Sequence, residues 1–307
     1  MDLDNAIKRV RRIVIYGLSK RFDKIYRLTT ENINGYITQF DFKGKNLYTV
    51  GSSGDQAINA NMYGCNNINI VDINPLARYY INMKLAAMLV FDYDNFINFI
   101  HKRKYNNVLS KQGYSKIRDC LSEIDIDSLY LWDYIYDNLD INMVVKNLFH
   151  IFSWEQDFAD KYNPYLLNKD NYNLAKSKIK DLKINFICEN ILKLDKIADD
   201  VDNIMLSNIY DYHYNILKIR GFRKDINRLS KLLNDNGKML VSYLYNTSVD
   251  YTLLDFCSDN VIEDARMYHF QGIKGVYQNN KITDTAIIYQ KRWQSNWQKN
   301  ECVLIFI

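Results

Sequence analysis

The chain contains few of the features that would link it to a membrane span, a metal or a disulfide framework. Its five cysteines lie far apart without a CxxC pair, and no secretory leader is recognisable. We therefore expect reduced thiols in a cytoplasmic protein, with no structural zinc site. The longest apolar stretches, such as residues 85–91 and 303–307, are far shorter than the ~20 residues that a membrane-spanning helix requires.

Charge also gives little indication of a partner. The chain has 40 basic and 36 acidic residues, a net charge of +4 over 307 residues. This excess is far below the charge that makes nucleic-acid binding the first expectation, so no nucleic-acid partner is predicted. With 48% hydrophobic and 25% charged residues, the composition predicts an ordinary folded domain with an ample core.

The first 45 residues predict an N-terminal helical segment, separate from a larger unit over residues 46–307. Residues 4–18 alternate basic and apolar side chains with helical spacing, and a second helical stretch is predicted over residues 22–34. The basic face of the first helix could contact an anionic membrane surface peripherally. The interpretation we favour is a helix packed on the main domain with its basic face in water.

Residues 46–90 have the pattern of a βαβ unit. A strand at residues 47–50 ends at a glycine turn, and a helix over residues 55–63 leads to a buried strand at residues 67–71. Asp72 follows that strand, and Pro75 is well placed to begin the next helix, over residues 76–90. One βαβ unit is therefore predicted in this stretch.

The remaining elements predict an α/β fold with a mostly parallel, Rossmann-like sheet. Residues 91–180 show helical periodicity and predict a helical insertion. Further strands are predicted at residues 183–188, 203–206 and 238–245, with an antiparallel C-terminal pair at residues 265–270 and 284–289 and an edge strand at residues 303–307.

The glycine turn and Asp72 are the strongest candidates for a ligand site. Gly51 and Gly54 permit close approach of the backbone to a ligand, and an acidic residue after the next strand can accept hydrogen bonds from ribose hydroxyls. Their spacing is close to the ~20 residues typical of such sites. The third glycine of GxGxxG is missing, which favours a nucleoside over a dinucleotide. The alternatives are a turn without a ligand and an Asp72 that caps the following helix.

These residues resemble a known family. The runs Thr49–Ala57, Val71–Pro75 and Lys84–Ala87, and the later run Leu206–Tyr212, are similar to the family of the betaine-lipid synthesis enzyme BtaA, an S-adenosylmethionine:diacylglycerol 3-amino-3-carboxypropyltransferase. The likeness covers about a quarter of the chain. The N-terminal aromatic and acidic segment of that family has no recognisable copy here, so the resemblance indicates the donor more strongly than a lipid acceptor.

The resemblance implies S-adenosylmethionine as cofactor and assigns roles to particular residues. The turn would hold the donor through Gly51, Ser52, Gly54 and Asp55, and the ribose would lie at Asp72 and Asn74. By the general pattern of class I methyltransferases, Glu189 or Asn190 would contact the adenine, and Ser207, Asn208 and Asp211 would border the methionine moiety and the acceptor. Glu189 could instead be a solvated helix cap, and Asp211 a turn residue.

His213 directly follows the last of these runs and is a candidate base, together with Asp211 as the second catalytic candidate. A structural hydrogen-bonding role is the more common one for a single histidine. No metal-ligand spacing of histidines occurs.

Three functions remain open at this level. Aminocarboxypropyl transfer to a lipid or small molecule is the one that the resemblance favours, and methyl transfer is the alternative. The third is a nucleoside-binding module without turnover. No Asn/Asp-Pro-Pro-Tyr/Phe tetrapeptide occurs at Asn208, which argues against amino-methylating enzymes that act on DNA.

Overall fold

An eight-stranded sheet forms the centre of the chain in the computed structural model, which describes residues 2–19, 22–29, 31–101, 108–150, 163–209, 224–242, 265–271, 283–291 and 302–306. The strand order is β3-β2-β1-β4-β5-β7-β6-β8. The strands are β1 (Asn46–Val50), β2 (Asn67–Val71), β3 (Lys183–Ile187), β4 (Val201–Met205), β5 (Leu233–Ser242), β6 (Ala265–Gln271), β7 (Thr283–Lys291) and β8 (Cys302–Phe306).

The first five strands are parallel. β1 pairs with β2 and with β4, β2 with β3, and β4 with β5. β7 runs antiparallel to both β5 and β6. The order of the parallel strands reverses between β1 and β4, and in open α/β sheets ligands bind in the crevice at the carboxyl ends of the strands at such a point. The predicted α/β class with a mostly parallel, Rossmann-like sheet is confirmed.

Helices flank the sheet and fill the predicted insertion. They are α1 (Leu3–Tyr16), α2 (Ile33–Tyr36), α3 (Asp55–Met62), α4 (Leu76–Val90), α5 (Tyr93–Ile100), α6 (Lys111–Ile124), α7 (Ile126–Asn138), α8 (Ile141–Leu148), α9 (Lys169–Ile179) and α10 (residues 224–230). α3 connects β1 to β2, and α5 to α8 follow α4 as a helical group before β3. None of the helices in the described ranges is long and apolar enough to cross a membrane.

Helix α1 packs against the rest of the chain through its apolar face. The buried residues of α1 are Ala6, Val10, Ile13 and Val14. They belong to the same hydrophobic cluster as the buried residues of α4 and α7. Two of its basic side chains, Arg9 and Arg12, form ion pairs with the buried carboxylate of Asp23, while Lys8 and Arg11 are exposed. The packed helix that we favoured is therefore the observed one, and membrane contact stays a prediction.

The helix predicted over residues 22–34 is wrong. The described residues before α2 form an irregular segment in which Ile25 makes a parallel β-bridge with Phe149. The Ile25 N–H donates to the Leu148 carbonyl, and the His150 N–H donates to the Ile25 carbonyl, both at 2.9 Å. The apolar residues that suggested helical spacing are buried by contacts with distant parts of the chain, which override local propensity.

The buried ion pair between Asp55 and Lys84 joins three parts of the chain. Neither side chain is exposed to solvent. The Lys84 ammonium also donates to the carbonyls of Arg27 and Ser53, each at 3.1 Å. The Asp55 carboxylate accepts from the Tyr165 hydroxyl at 2.8 Å and from the Thr29 N–H. The pair thus links the N-terminal segment, the glycine turn and the stretch before α9.

We expect Lys84→Met to lower the free energy of unfolding by about 3–5 kcal/mol, because it leaves the buried Asp55 carboxylate without its cation. Urea denaturation followed by circular dichroism measures this loss. Arg118→Met is the matched control, since it breaks the half-exposed pair between Arg118 and Asp133, and such pairs contribute about 0–1 kcal/mol. Equal losses for both variants would contradict the structural importance of the buried pair.

Candidate functional site

A cavity of about 400 Å³ opens at the carboxyl ends of β1, β2, β3 and β4. This is the position at which parallel α/β sheets bind ligands. Residues that follow each of these strands line it, together with part of the N-terminal segment. The described lining residues are Phe22, Lys24, Ile25, Tyr26, Val50, Ser52, Val71, Asp72, Ile73, Asn74, Ala77, His150, Glu189, Asn190, Ile191, Ser207, Asn208 and Ile209.

The glycine turn after β1 packs directly against Asp72. A Cβ atom at Gly51 would lie 2.6 Å from Asp72 Oδ2, so a larger residue would displace that carboxylate. Gly54 has φ +79° and is the N-cap residue of α3, and a Cβ there would approach Ile81 at 3.0 Å. Gly54 is therefore needed for the turn and does not line the cavity, whereas Ser52 lies on the cavity wall.

The Asp72 carboxylate is held in place by backbone donors on both of its oxygens. Oδ2 accepts from the Ser52 N–H at 2.9 Å, and Oδ1 accepts from the Asn74 N–H at 2.8 Å. Burial raises the pKa of Asp72 to about 6, while these two donors act in the opposite direction. Each oxygen retains a further lone pair, so the group can accept hydrogen bonds from a ligand.

The alternative that Asp72 caps α4 does not describe the observed contacts. Pro75 occupies the N-cap position, and its own side chain makes no capping hydrogen bond. The Asn74 side chain accepts from the Leu76 N–H at 3.1 Å and donates to the Asp23 carbonyl at 3.2 Å. Asn74 thus supports both the start of α4 and the N-terminal segment, while Asp72 faces the cavity.

Backbone strain is found at the cavity wall. Among the non-glycine residues of the described ranges, four have positive φ, and two of these, Ser52 (φ 43°) and Ser207 (φ 56°), line the cavity. Such conformations cost of order 1–3 kcal/mol and occur preferentially at functional sites. The two residues follow β1 and β4, the strands between which the sheet order reverses.

The end of β4 is fixed by a buried carboxylate of the N-terminal segment. The Ser207 hydroxyl donates to Glu31 Oε1. Glu31 Oε2 accepts from the Tyr36 hydroxyl at 2.9 Å and from Gln56 Nε2 at 3.0 Å. Glu31 is only 4% exposed, so it acts as a positioning group for Ser207. Sequence reasoning did not identify it, because its partners are up to 176 positions away.

Glu189 and Asn190, which follow β3, both line the cavity. The Asn190 N–H and the Lys193 ammonium lower the pKa of Glu189. The Asn190 side chain accepts from the Leu192 N–H at 3.0 Å and caps the short 3-10 helix Ile191–Lys196. Asn190, and not Glu189, is therefore the cap of this helix. Both residues still line the cavity and can contact a ligand.

Not every expected cofactor-binding residue of the described ranges lines the cavity. The Asp55 carboxylate is buried and held by Lys84, Tyr165 and Thr29, and it does not line the cavity. The interpretation of Asp55 as a direct donor ligand is corrected on this ground, since it positions the turn instead. Asp211 and His213 lie outside the described residues.

The N-terminal segment supplies a wall that the sequence did not predict. Phe22, Lys24, Ile25 and Tyr26 line the cavity together with His150. The Tyr26 and His150 rings stack with centroids 4.2 Å apart and an interplanar angle of 25°. Burial and the nearby Lys24 charge lower the pKa of His150 to about 4. No signal in the sequence separated His150 from the other histidines, because its neighbours are brought in by the bridge to Ile25.

Comparisons with known proteins give distant likenesses in fold. No protein-family profile and no curated protein sequence matches the chain. Among solved structures, the N-methyltransferase NodS from Bradyrhizobium japonicum WM9 in complex with S-adenosyl-L-homocysteine is 10% identical, with a TM-score of 0.42 and coverage of 94% of this chain and 98% of that chain. Without that ligand, NodS is 8% identical, with a TM-score of 0.37 and coverage of 85% and 93%.

The rRNA methyltransferase aviRa from Streptomyces viridochromogenes is also similar. It is 8% identical, with a TM-score of 0.31 and coverage of 79% of this chain and 74% of that chain. These comparisons assign no family. The reaction has to be inferred from the site.

We expect His150→Phe to change the pH dependence of stability. The histidine titrates near pH 6.5 when unfolded and near pH 4 in the folded chain. The folded chain thus binds fewer protons between these values, and His150 makes the unfolding free energy fall as the pH drops from 7 to 4. The phenylalanine ring can keep the stack with Tyr26 but cannot titrate, so the variant should gain stability relative to wild type as the pH falls.

Chemical denaturation at several pH values between 4 and 7 measures this difference. Asp72 titrates in the same range with the opposite effect, because its raised pKa makes the folded chain bind more protons. Comparison of the variant with wild type cancels that contribution. A stability difference that stays constant from pH 7 to pH 4 would contradict a lowered pKa for His150.

Proposed function

We propose that the cavity binds S-adenosylmethionine and that the protein transfers a group from it to an acceptor, preferentially the 3-amino-3-carboxypropyl group. The single observation that carries this proposal is the Asp72 carboxylate, which lies at the end of β2, against the glycine turn, and on the wall of a cavity at the switch point of the sheet. A carboxylate at this position is suited to the two hydroxyls of a ribose.

The residues present fit such a donor. Apolar side chains after β2 and β3 can cover an adenine, among them Ile73, Ala77 and Ile191, and polar groups after β4 can hold the methionine portion. A volume of about 400 Å³ falls within the range of small-molecule sites. Gly51 leaves the space beside Asp72 that a side chain would fill.

A bound S-adenosylmethionine would supply an activated sulfonium, and attack of an acceptor nucleophile on a carbon attached to sulfur would break that C–S bond and release the sulfur as a neutral thioether. The protein has to align the two reactants and accept the proton that the acceptor loses. Asp72 and Asn74 would orient the ribose, Glu189 and Asn190 the adenine, and Ser207 and Asn208 the methionine portion. Asp211 and His213 stay the proposed catalytic residues for the proton.

The acceptor is proposed to be a lipid or a small molecule, and the protein to be cytoplasmic with peripheral membrane contact. Apolar side chains at the end of α1 are exposed, including Tyr16 and Leu18, and Phe22 is both exposed and part of the cavity wall. Lys8 and Arg11 on the same helix are exposed as well. An apolar surface with neighbouring cations supports contact with an anionic bilayer. Methyl transfer is the second candidate reaction, since the same cavity would serve either attack.

Incubation of the protein with S-adenosylmethionine and a lipid fraction or cell extract, followed by mass spectrometry, tests the reaction. We expect methylthioadenosine, the product of aminocarboxypropyl transfer. S-adenosylhomocysteine would establish methyl transfer instead. Tight donor binding without either product would favour a binding module without turnover.

Asp72→Asn should abolish product formation and weaken donor binding at least tenfold, because an amide offers only one acceptor oxygen. Asp202→Asn is the matched control. It replaces a carboxylate by an amide in the same way. The Asp202 carboxylate lies on β4, accepts from the Asn46 N–H and does not line the cavity. Unchanged donor affinity in Asp72→Asn would contradict the ribose assignment.

Binding of methylthioadenosine should weaken as the pH falls through about 6. Below this value Asp72 becomes protonated and loses acceptor capacity, so affinity should drop by up to tenfold per pH unit. His150 titrates lower, near 4, and the pKa of Glu189 is also lowered, so neither contributes between pH 5 and 7.5. Calorimetric titration should show this decline in wild type and a flat profile in Asp72→Asn. A flat wild-type profile would contradict the assignment.

A further inference from the structure

The cavity contains a cation that the proposed donor-binding residues do not account for. Lys24 is the single lysine or arginine among the described lining residues. In the part of the chain that the structure describes, its ammonium makes no ion pair and no hydrogen bond. By contrast, Arg9 and Arg12, which approach the same segment, both pair with Asp23.

Neither acidic side chain that lines the same cavity, Asp72 or Glu189, forms an ion pair with Lys24. Glu189 forms a salt bridge with Lys193 at 3.3 Å, and the Asp72 oxygens accept from two backbone N–H groups. His150 does not compensate the charge either, because Lys24 lies close enough to lower the pKa of that imidazole. The positive charge of Lys24 therefore faces the cavity without a counter-charge from these groups.

The backbone around Lys24 is held on both sides. The preceding Asp23 carbonyl accepts from Asn74 Nδ2 at 3.2 Å. The following Ile25 exchanges two backbone hydrogen bonds of 2.9 Å with Leu148 and His150. The backbone that carries Lys24 thus has a fixed position, so that only the side chain loses freedom when its ammonium binds a ligand.

We propose that Lys24 binds an anionic group, a carboxylate or a phosphate, of a ligand held in this cavity. The inference rests on the proposed function, because it concerns a ligand of the same site. A charge-assisted hydrogen bond to an anion would satisfy a half-buried ammonium that has no ion pair or hydrogen bond within the described residues. The anion is either the carboxylate of the donor or an anionic group of the acceptor, and both sources present the same chemistry to Lys24.

Lys24→Met, Lys24→Arg and a control variant distinguish these sources by calorimetric titration. Lys146→Met is the matched control, since Lys146 is exposed on α8 four residues before His150 and does not line the cavity. The probes are S-adenosylhomocysteine, which carries the carboxylate, methylthioadenosine, which lacks it, and inorganic phosphate added to protein saturated with S-adenosylhomocysteine.

If the donor carboxylate is the anion, Lys24→Met should weaken S-adenosylhomocysteine about tenfold to a hundredfold and leave methylthioadenosine unchanged. If the acceptor supplies the anion, Lys24→Met should bind both nucleosides as wild type does, and it should lose phosphate binding. In either case Lys24→Arg should retain most of the affinity, and Lys146→Met should behave as wild type.

Equal affinity of wild type and Lys24→Met for all three probes would overturn the proposal, as would equal weakening by Lys146→Met. Failure of the proposed function is a different result, in which wild type binds neither nucleoside. In that case phosphate is titrated into the free protein, and loss of its binding in Lys24→Met alone would still support the anion site. Absence of phosphate binding in wild type would then overturn it.

Discussion

The buried ion pair between Asp55 and Lys84 is the interaction on which the cavity depends. Its two charges are fully removed from solvent, and such a pair is tolerated only when its remaining donors and acceptors are satisfied. Here they are satisfied by backbone groups of the N-terminal segment and the glycine turn, and by the Tyr165 hydroxyl. The hydrogen bonds that this one ion pair requires thus hold both the glycine turn and the N-terminal segment that lines the cavity.

The cavity has two walls of different origin. One consists of the residues that follow the parallel strands, where Asp72, Glu189 and Ser207 are placed by the sheet itself. The other is the N-terminal segment, which is held through Asp23, Glu31 and the backbone of Ile25. The strand-end wall supplies hydrogen-bond acceptors, and the N-terminal wall supplies the Lys24 cation and the Tyr26 ring that stacks on His150. A donor and an acceptor would therefore meet between elements that are far apart in sequence.

The strand-end wall could be predicted from the sequence, and the N-terminal wall could not. Gly51 and Asp72 lie in a local βαβ unit whose strand and turn patterns are contained in about 45 residues, so spacing alone places them together. The segment around Ile25 depends on Phe149, and Glu31 depends on Ser207. These contacts leave no periodic pattern. Asp55 shows the same limit: the family resemblance implied a ligand contact, and only its partner Lys84 reveals a structural role.

The most direct test of the central claim is a crystal structure of the protein with bound S-adenosylhomocysteine. The account predicts that the nucleoside occupies the cavity at the carboxyl ends of β1 to β4, with both ribose hydroxyls donating to the Asp72 carboxylate and the adenine beside Asn190. A nucleoside bound at another site, or a ribose that does not contact Asp72, would contradict the claim that this cavity is the donor site.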